Sequence, residues 1–473
     1  MIEQLLIVAV IGMGAAAALR RLPLVEQARI FSQTSQRAIR ALGRSGASDH
    51  WKERLLRGCA LRTLRATAIT VALLGAFVLA ISSIVFVLDG LFDLAVFDVL
   101  LAPSGLIAAT FGGLLWLALA KVVPRKQNSD YGLLERIMHR LVLGNRGIAE
   151  ACFDMDQRMV RGSTVWVEEG AHVFVVGLAR AGTTALMRTI HDSGAFRSLL
   201  YEDMPFVLAP NFWQKLRRPR RDAEAMQERA HGDGLMVSQK SPECLDEVFW
   251  RVFDGEAYIG QKEMLPHHPS AELQKKFRAY VAAILNATPE KRYLSKNNNN
   301  IIRLPAICAM FPNAHILVMF RDPLDHATSL LRQHRRFTER QTEDPFVGAY
   351  MNWLAHHEFG AGHLPFAPEA AEGSSPNELL YWLRQWSAVY ERLLKEAPHN
   401  ATFICYESLC DDPALWPVIA EKLDIPEGAP DFKKPHHKPI PLAESDDALV
   451  YVRDVYDRLV ARSEAEWGVT PAE

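Results

Sequence analysis

The sequence has few cysteines and no excess of charge of one sign. Its six cysteines are scattered over 473 residues, and none forms a C-x-x-C pair. This argues against a zinc ribbon and against a disulfide-stapled scaffold, and it favours a reducing compartment. The formal net charge is only −2, so the chain lacks the overall basic signature of a nucleic-acid-binding protein.

A glycine-rich loop in the middle of the chain lacks an expected lysine. An apolar run, 172–176, leads into GLARAGTT, residues 177–184, and a helical pattern follows. Gly177 and Gly182 have the spacing of the Walker A loop, but Thr183 stands where that loop has its lysine. The cation lies instead inside the loop, as Arg180. Backbone N–H groups in such a strand–loop–helix still favour an anion.

The acid that would organise a metal ion is missing as well. The nearest candidate, Asp322, follows an arginine and precedes a proline, which suits a turn better than a metal site. We therefore expect no metal. A P-loop kinase or NTPase that uses ATP and Mg²⁺ remains the alternative enzyme class, and a non-catalytic membrane scaffold with a decayed nucleotide fold is the other.

Long apolar runs crowd the first quarter of the chain. They predict transmembrane helices over about 2–19, 66–88 and 99–120. The segment 20–65 holds eleven Lys and Arg against three acids, whereas the link between the second and third runs holds three Asp and no cation. By the positive-inside rule, the basic segment and everything after the third helix are cytoplasmic. The basic segment either lies on the inner leaflet or forms a solvated helix pair.

The remainder reads as an α/β fold. Strand-like runs alternate with helical patterns such as 379–396 and 414–423, which favours a P-loop-like parallel sheet flanked by helices. The predicted strands are 165–167, 173–176, 198–201, 315–320 and 402–406. We predict a membrane region over 1–125, linker helices over 126–164 and an enzymatic domain over 165–473. The asparagine run 297–300 predicts a tight turn.

A second motif makes the loop more specific. FPNAHILVMFRDPLDHATSL, residues 311–330, reads as a buried strand ending in Arg321, a proline-stopped turn, and a helix that carries Ser329. Both side chains could reach one phosphate. Together with the loop, this motif resembles the sulfotransferases that use 3′-phosphoadenosine 5′-phosphosulfate, particularly the membrane-associated and glycan-directed type. The cytoplasmic placement of the domain agrees with a bacterial member.

The resemblance covers three ordered motifs over roughly two-thirds of the chain. The family's 5′-phosphosulfate loop, P-R/K-S-G-T-T, is matched by 179–184. Its 3′-phosphate motif, F-P-x-A, R-D-P and a serine, is matched by 311–314, 321–323 and Ser329, and its late Y-E-x-L and D-P segment is similar to 404–426. The resemblance implies donor contacts from Arg180, Ala181, Gly182, Thr183, Thr184, Arg321 and Ser329.

Two positions depart from the family pattern. Ala179 replaces the usual proline, which removes only preorganisation of the loop. Ala181 replaces the usual serine, whose hydroxyl in the family can contact the 3′-phosphate. Arg321, Ser329 and backbone groups must therefore carry more of that contact, and we expect donor binding to survive.

The resemblance also implies catalytic roles. Arg180 would stabilise the charge that develops on the leaving bridging oxygen. Glu202, after the next predicted strand, is the best match to the general base, with Asp203 as its rival. Lys296 resembles the lysine that family members carry at a strand end, and Lys240 is a weaker candidate of that type. His267 or His268 could supply a histidine base instead.

The sequence thus predicts a multi-pass membrane sulfotransferase with a cytoplasmic catalytic domain. Its co-substrate would be 3′-phosphoadenosine 5′-phosphosulfate. Its acceptor would be a hydroxyl of a glycan, glycolipid or lipid, since a membrane location favours such substrates.

Overall fold

The computed structural model divides the chain into two compact units, Met1–Asp130 and Tyr131–Glu473. It describes residues 2–21, 34, 38, 49–92, 96–122, 133–160, 165–216, 227–228, 236–238, 240–243, 245–434 and 447–468. The predicted domain limits at 125 and 164 stay predictions.

The described part of the first unit is helical. Its helices are α1 (Ile2–Arg21), α2 (Asp49–Phe92), α3 (Val96–Leu101) and α4 (Pro103–Val122). Helices α1 and α4 pack closely because each presents a glycine to the other's backbone: a Cβ on Gly12 would overlap the carbonyl oxygen of Ala109, and a Cβ on Gly112 would overlap that of Ala9. Small residues allow such close approach between apolar helices.

One helix within the described ranges is long and apolar enough to cross a membrane. It is the part of α2 from Arg57 to Val87, and few of its side chains are buried. The predicted run 66–88 therefore lies inside a much longer helix that also takes in part of the basic segment. The run 2–19 falls on α1, whose apolar stretch Ile7–Ala16 is shorter. The run 99–120 is interrupted before Pro103, where α3 gives way to α4. A multi-pass arrangement stays a prediction.

The second unit alternates helices with strands. Its helices are α5 (Leu133–Val142), α6 (Arg146–Gln157), α7 (Val165–Glu168), α8 (Thr183–Asp192), α9 (Pro210–Leu216), α10 (Glu247–Tyr258), α11 (Ala271–Leu285), α12 (Leu304–Met310), α13 (Pro323–Glu343), α14 (Pro345–Trp353), α15 (Leu379–Glu396), α16 (Tyr406–Asp411), α17 (Leu415–Lys422) and α18 (Asp447–Trp467). Short 3₁₀ helices cover Tyr201–Asp203, Asn298–Ile302 and Pro368–Ala371.

A five-stranded parallel sheet forms the centre of this unit. Its strands are β1 (Val173–Val176), β2 (Phe196–Arg197), β5 (Arg292–Lys296), β6 (His315–Phe320) and β7 (Ala401–Cys405), in the order β2-β5-β1-β6-β7. A separate antiparallel pair joins β3 (Gln227–Glu228) to β4 (Met236–Val237). The predicted parallel sheet flanked by helices is confirmed.

Helices cover both faces of the sheet, which explains why its central strands are continuous apolar runs. Alternate side chains enter two different cores. Phe174 and Val318 pack with α11, α13 and α15 on one face, whereas Val175 and Leu317 pack with α8 and α17 on the other. The carboxyl ends of β5, β1 and β6 therefore meet at one edge, where ligands bind in open α/β sheets.

Three of the strand predictions need correction. Residues 165–167 form α7 instead of a strand. His172 Nε2 donates to the carbonyl of Val167 at 2.8 Å, which ties the end of this short helix to the start of β1. The strand predicted at 198–201 ends earlier, at Arg197, and only Leu200 makes an isolated bridge to Pro242. The last strand runs over Ala401–Cys405, one residue before the prediction. The run 297–300 enters a 3₁₀ helix.

Candidate functional site

The loop between β1 and α8 has a backbone that most side chains would not tolerate. Gly177 has φ 138° and Gly182 has φ 93°, both in the region that favours glycine. A Cβ on Gly177 would lie 2.5 Å from the carbonyl oxygen of Met319, and a Cβ on Gly182 would collide with the ring of Tyr406. The loop is therefore pressed between β6 and the start of α16. Glycine at these two positions allows the loop to adopt this backbone and to lie this close to its neighbours.

Arg180 joins the loop to the second motif. Its φ of 74° is strained for a residue with a side chain. Its Nε donates to Ser329 Oγ at 3.1 Å, although the two residues lie 149 positions apart. Ser329 stands on α13, directly after β6. The two sequence motifs thus meet at the same edge of the sheet.

Arg321 directly follows β6 and is buried. Its Nη2 lies 3.6 Å from Asp325 Oδ2 and its Nε lies 3.7 Å from Glu407 Oε1. These are ion-pair distances, and the Nε hydrogen makes no hydrogen bond within the described residues. A buried guanidinium with unused donor capacity fits an oxyanion such as phosphate.

Asp322 is occupied in structural contacts. Its carboxylate caps α13 by accepting from the backbone N–H groups of Leu324 and Asp325 at 2.9 and 3.0 Å, and it pairs with Arg453 at 3.1 Å. Throughout the described ranges, no group of three or more His, Cys, Asp or Glu is arranged to hold a metal ion.

His326 supports the backbone of the loop, and no sequence pattern singles it out. Its Nδ1 accepts from the indole N–H of Trp386 at 3.1 Å, so its Nε2 carries the proton and donates to the carbonyl of Ala179 at 2.7 Å. Burial, assisted by the charges of Arg321 and Arg180, lowers the pKa of His326 to about 3. The imidazole is therefore neutral and has a fixed tautomer.

Lys296 ends β5 beside the loop. It pairs in register with Val175 of β1, and the next backbone N–H, that of Asn297, donates to the carbonyl of Val175. The Lys296 ammonium is buried and lies 3.6 Å from Glu243 Oε1. Glu243 Oε2 in turn accepts from the hydroxyl of Tyr201 at 2.7 Å.

The two acids predicted as candidate bases differ in their surroundings. Asp203 is buried, accepts from the backbone N–H of Leu200 at 2.8 Å and pairs with Arg197 at 3.1 Å, so it caps the 3₁₀ helix. Glu202 is half-buried, and its carbonyl oxygen accepts from the indole N–H of Trp213.

The predicted histidines and Lys240 lie elsewhere. Both ring nitrogens of His267 are used: Nε2 contacts Asp254 at 2.9 Å and Nδ1 accepts from Arg303 Nε at 2.9 Å. Burial, followed by the charge of Arg303, lowers the pKa of His267 to about 4. His268 is exposed, as is Lys240. Most of the basic run 215–221 lies outside the described residues.

The structure therefore brings Arg180, Ser329, Arg321 and Lys296 to one edge of the sheet. Glu243 and His326 join them without any local sequence signal, because each acts through contacts with distant parts of the chain.

Comparison with known proteins gives one family match. The family model described as "Sulfotransferase family" matches residues 172–417. None of the curated proteins matches.

Solved structures give low-scoring similarities. Sulfotransferase STF1 from Mycobacterium tuberculosis is 17% identical with a TM-score of 0.36, over 76% of this chain and 88% of that one. Sulfotransferase STF9 from Mycobacterium avium is 13% identical with a TM-score of 0.36, over 70% and 79%. A sulfotransferase from Alicyclobacillus acidocaldarius is 14% identical with a TM-score of 0.32, over 63% and 96%.

Proposed function

This chain belongs to the sulfotransferase family and is a sulfotransferase, and we propose that it takes 3′-phosphoadenosine 5′-phosphosulfate as its donor. The family generally uses that donor. The sulfuryl group would pass in line from the donor phosphate to a hydroxyl of the acceptor, and adenosine 3′,5′-bisphosphate would remain as the second product.

The observation that carries this proposal is the contact between Arg180 and Ser329. A 5′-phosphosulfate loop and a 3′-phosphate motif serve one nucleotide only if they meet in space. The 3.1 Å hydrogen bond between these side chains supports such a shared site. The unused Nε of buried Arg321 adds a donor of the right charge for a 3′-phosphate.

The roles of the remaining residues follow from their positions. We propose that the backbone of the loop, with Gly182, Thr183 and Thr184, cradles the 5′-phosphosulfate at the start of α8. Arg180 would stabilise the charge on the bridging oxygen as it leaves. Lys296 stands beside the loop at the end of β5, where its ammonium can orient the sulfuryl group.

The proton of the acceptor hydroxyl needs a base at the same edge. Among the acids predicted from the sequence, Glu202 is the better candidate, because the carboxylate of Asp203 is committed to Leu200 and Arg197. A histidine is the other possibility for this role, although His267 is committed on both nitrogens.

The acceptor class rests on location. We propose that α2 anchors the protein in a bilayer, since its apolar part is exposed and of spanning length. A catalytic unit held at the inner membrane surface favours a hydroxyl on a glycan, a glycolipid or a lipid. The cytoplasmic side follows from the charge asymmetry around the apolar runs.

A thermal-shift titration tests the donor. Adenosine 3′,5′-bisphosphate should stabilise the protein equally with and without Mg²⁺, and more than ATP does. Stabilisation by ATP and Mg²⁺ alone would favour a P-loop kinase. The absence of any shift with the bisphosphate would overturn the proposed donor.

A further inference from the structure

A group of charged side chains lies next to Lys296 that the proposed donor contacts do not use. It consists of Glu243, His356 and Glu358. His356 and Glu358 belong to the loop that follows α14, whereas Glu243 precedes α10. Glu243 Oε1 lies 3.6 Å from the Lys296 ammonium, and Glu358 accepts from Asn298, two residues after Lys296. The group therefore adjoins the edge of the sheet at which the proposed donor would bind.

Within the group, His356 is held by a carboxylate. Its Nδ1 lies 3.4 Å from both oxygens of Glu358, which is itself buried. Because Nδ1 is engaged, Nε2 is the nitrogen that remains for another partner. The His356 side chain is 23% exposed, so a molecule from solvent can reach it.

The asparagine run fixes this arrangement. Asn298 Nδ2 donates to Glu358 Oε1 at 2.9 Å, and Asn299 Nδ2 donates to the carbonyl of Ala355 at 3.0 Å. Ala355 has φ 52°, a strained value for a residue with a side chain. The turn that follows Lys296 thus ties the loop of His356 to the end of β5. Asn298 and Asn299, which no proposed donor contact uses, thus hold the loop of His356 in position.

A carboxylate that orients one nitrogen of an imidazole leaves the other nitrogen as a base. We infer that His356 Nε2 removes the proton from the acceptor hydroxyl, with Glu358, Asn298 and Asn299 as positioning residues. The hydroxyl oxygen forms a bond to sulfur while the bond from sulfur to the bridging phosphate oxygen breaks. The proton passes to His356 and then to solvent, and the electron pair of the broken bond leaves with the bisphosphate.

This inference rests on the proposed function, and its pH dependence has a definite sign. Burial disfavours the charged imidazolium, but Glu358 outweighs burial, so the pKa of His356 is raised above 6.5. Lys296 opposes this shift, Glu243 supports it, and His357 is the neighbouring titratable ring. A base must be neutral, so kcat/KM should fall as the pH drops below a value higher than 6.5.

The assay measures transfer of ³⁵S from labelled donor to octyl glucoside as the acceptor. A second assay, without octyl glucoside, measures the release of labelled sulfate when water is the acceptor. His356→Asn should lower kcat/KM by about 100-fold or more. It should also abolish the fall of kcat/KM at low pH, which we call the acid limb. The bisphosphate should still stabilise this variant. Glu358→Gln should move the acid limb to lower pH, which a merely structural role would not do. His399→Asn, on the exposed turn before β7, should match the wild type.

Histidine NMR gives a readout that needs no acceptor. In ¹⁵N-histidine-labelled protein in detergent, the His356 signal, identified by its loss in His356→Asn, should titrate above 6.5. It should titrate lower in Glu358→Gln. The same titration in the wild type and in Glu358→Gln would overturn the inference, because Glu358 would then not orient the imidazole.

Glu202→Gln separates the rival base. Three results together would identify Glu202 as the base and show that the inference is wrong. Glu202→Gln would abolish transfer, His356→Asn would keep it, and the acid limb would lie in the pH range in which carboxyl groups titrate. If the bisphosphate does not stabilise the wild type, the proposed function fails instead.

Discussion

Residues with positive φ lie where the loop 177–184 meets the segment of Arg321 and Ser329. Gly177, Arg180 and Gly182 all have positive φ within one six-residue loop. The two glycines adopt these values without steric cost, whereas the positive φ of Arg180 costs on the order of 1–3 kcal/mol and needs support from its surroundings. Met319, Tyr406 and His326 provide that support through close contacts. These contacts hold the backbone of the loop in place, which would preorganise it for the proposed donor.

Gly182→Ala tests this preorganisation. The new Cβ would combine a strained φ with a collision against Tyr406, so the melting temperature should fall and binding of the bisphosphate should weaken by at least 10-fold. Gly194→Ala is the matched control, because Gly194 has φ 77° but nothing within 4 Å of the added Cβ. It should lower stability slightly and leave binding intact. Equal binding by both variants would show that the loop is not preorganised.

Ala181 is the residue at which the chain departs from the family pattern. Its side chain is fully buried in the core shared with α8 and α17. A buried methyl group thus stands where the family pattern has a hydroxyl, and in the proposed site the contacts of a 3′-phosphate would fall to Arg321 and Ser329.

At the scale of elements, a buried polar network supports the strand that carries Lys296. Asp246, at the start of α10, accepts from Ser295 at 2.6 Å, from Tyr293 at 3.1 Å and from Asn297 at 3.3 Å. Glu247 pairs with Arg303 at 2.6 Å. The network thereby fixes the end of β5 and the asparagine turn against α10.

The Asp246 carboxyl makes stability depend on pH. Burial raises the pKa of Asp246 to about 6 in the folded protein, from 3.8. The folded state therefore binds more protons than the unfolded state between these values, and stability falls as pH rises through them. Asp246→Asn removes this loss. Its melting temperature relative to the wild type should be higher at pH 7.5 than at pH 5.

Asp457→Asn, at an exposed position on α18, provides the comparison for that measurement. It should show no such pH-dependent difference from the wild type. A constant difference between Asp246→Asn and the wild type across the range would mean that Asp246 keeps an ordinary pKa.

The elements that could be predicted from the sequence are those with a continuous local pattern. The runs VFVV and HILVMF predicted β1 and β6 without error, because burial on both faces leaves an unbroken apolar signal. The run 379–396 predicted α15 because its apolar residues recur at helical spacing. The run 165–167 was misread because three residues cannot distinguish strand from helix. The strand β2 is only two residues long, and its position depends on pairing with β5.

The residues of the candidate site also differ in whether a local sequence pattern predicts them. The loop and the Arg321–Ser329 motif are local patterns and could be read directly. Glu243, His326, His356 and Glu358 could not, because their significance comes from contacts between segments that are distant in the chain. The asparagine run could be recognised in the sequence, but its hydrogen-bond partners Glu358 and Ala355 could not be predicted from it.

At the scale of the whole molecule, the two units have different chemistry. The first exposes apolar side chains such as Val78 and Phe86 on α2, whereas the second encloses its apolar residues in two cores. The exposed apolar surface is what a lipid environment would cover.

Topology is testable with reporter fusions in a bacterial host. Alkaline phosphatase fused after Asp93, in the acidic link, should be active, and the same reporter fused after Glu473 should be inactive. Green fluorescent protein should give the opposite pattern, since it fluoresces only on the cytoplasmic side. Phosphatase activity at both positions would contradict a cytoplasmic catalytic unit.

Recognition of the 3′-phosphate is the central claim, and calorimetric titration tests it most directly. Wild-type protein should bind adenosine 3′,5′-bisphosphate more tightly than AMP, which lacks the 3′-phosphate. Arg321→Gln should lose about 10- to 100-fold in affinity for the bisphosphate and little for AMP. Arg335→Gln, at an exposed position on the same helix as Ser329, should bind both as the wild type does. Equal affinity of the wild type for the two nucleotides, unchanged by Arg321→Gln, would contradict the account.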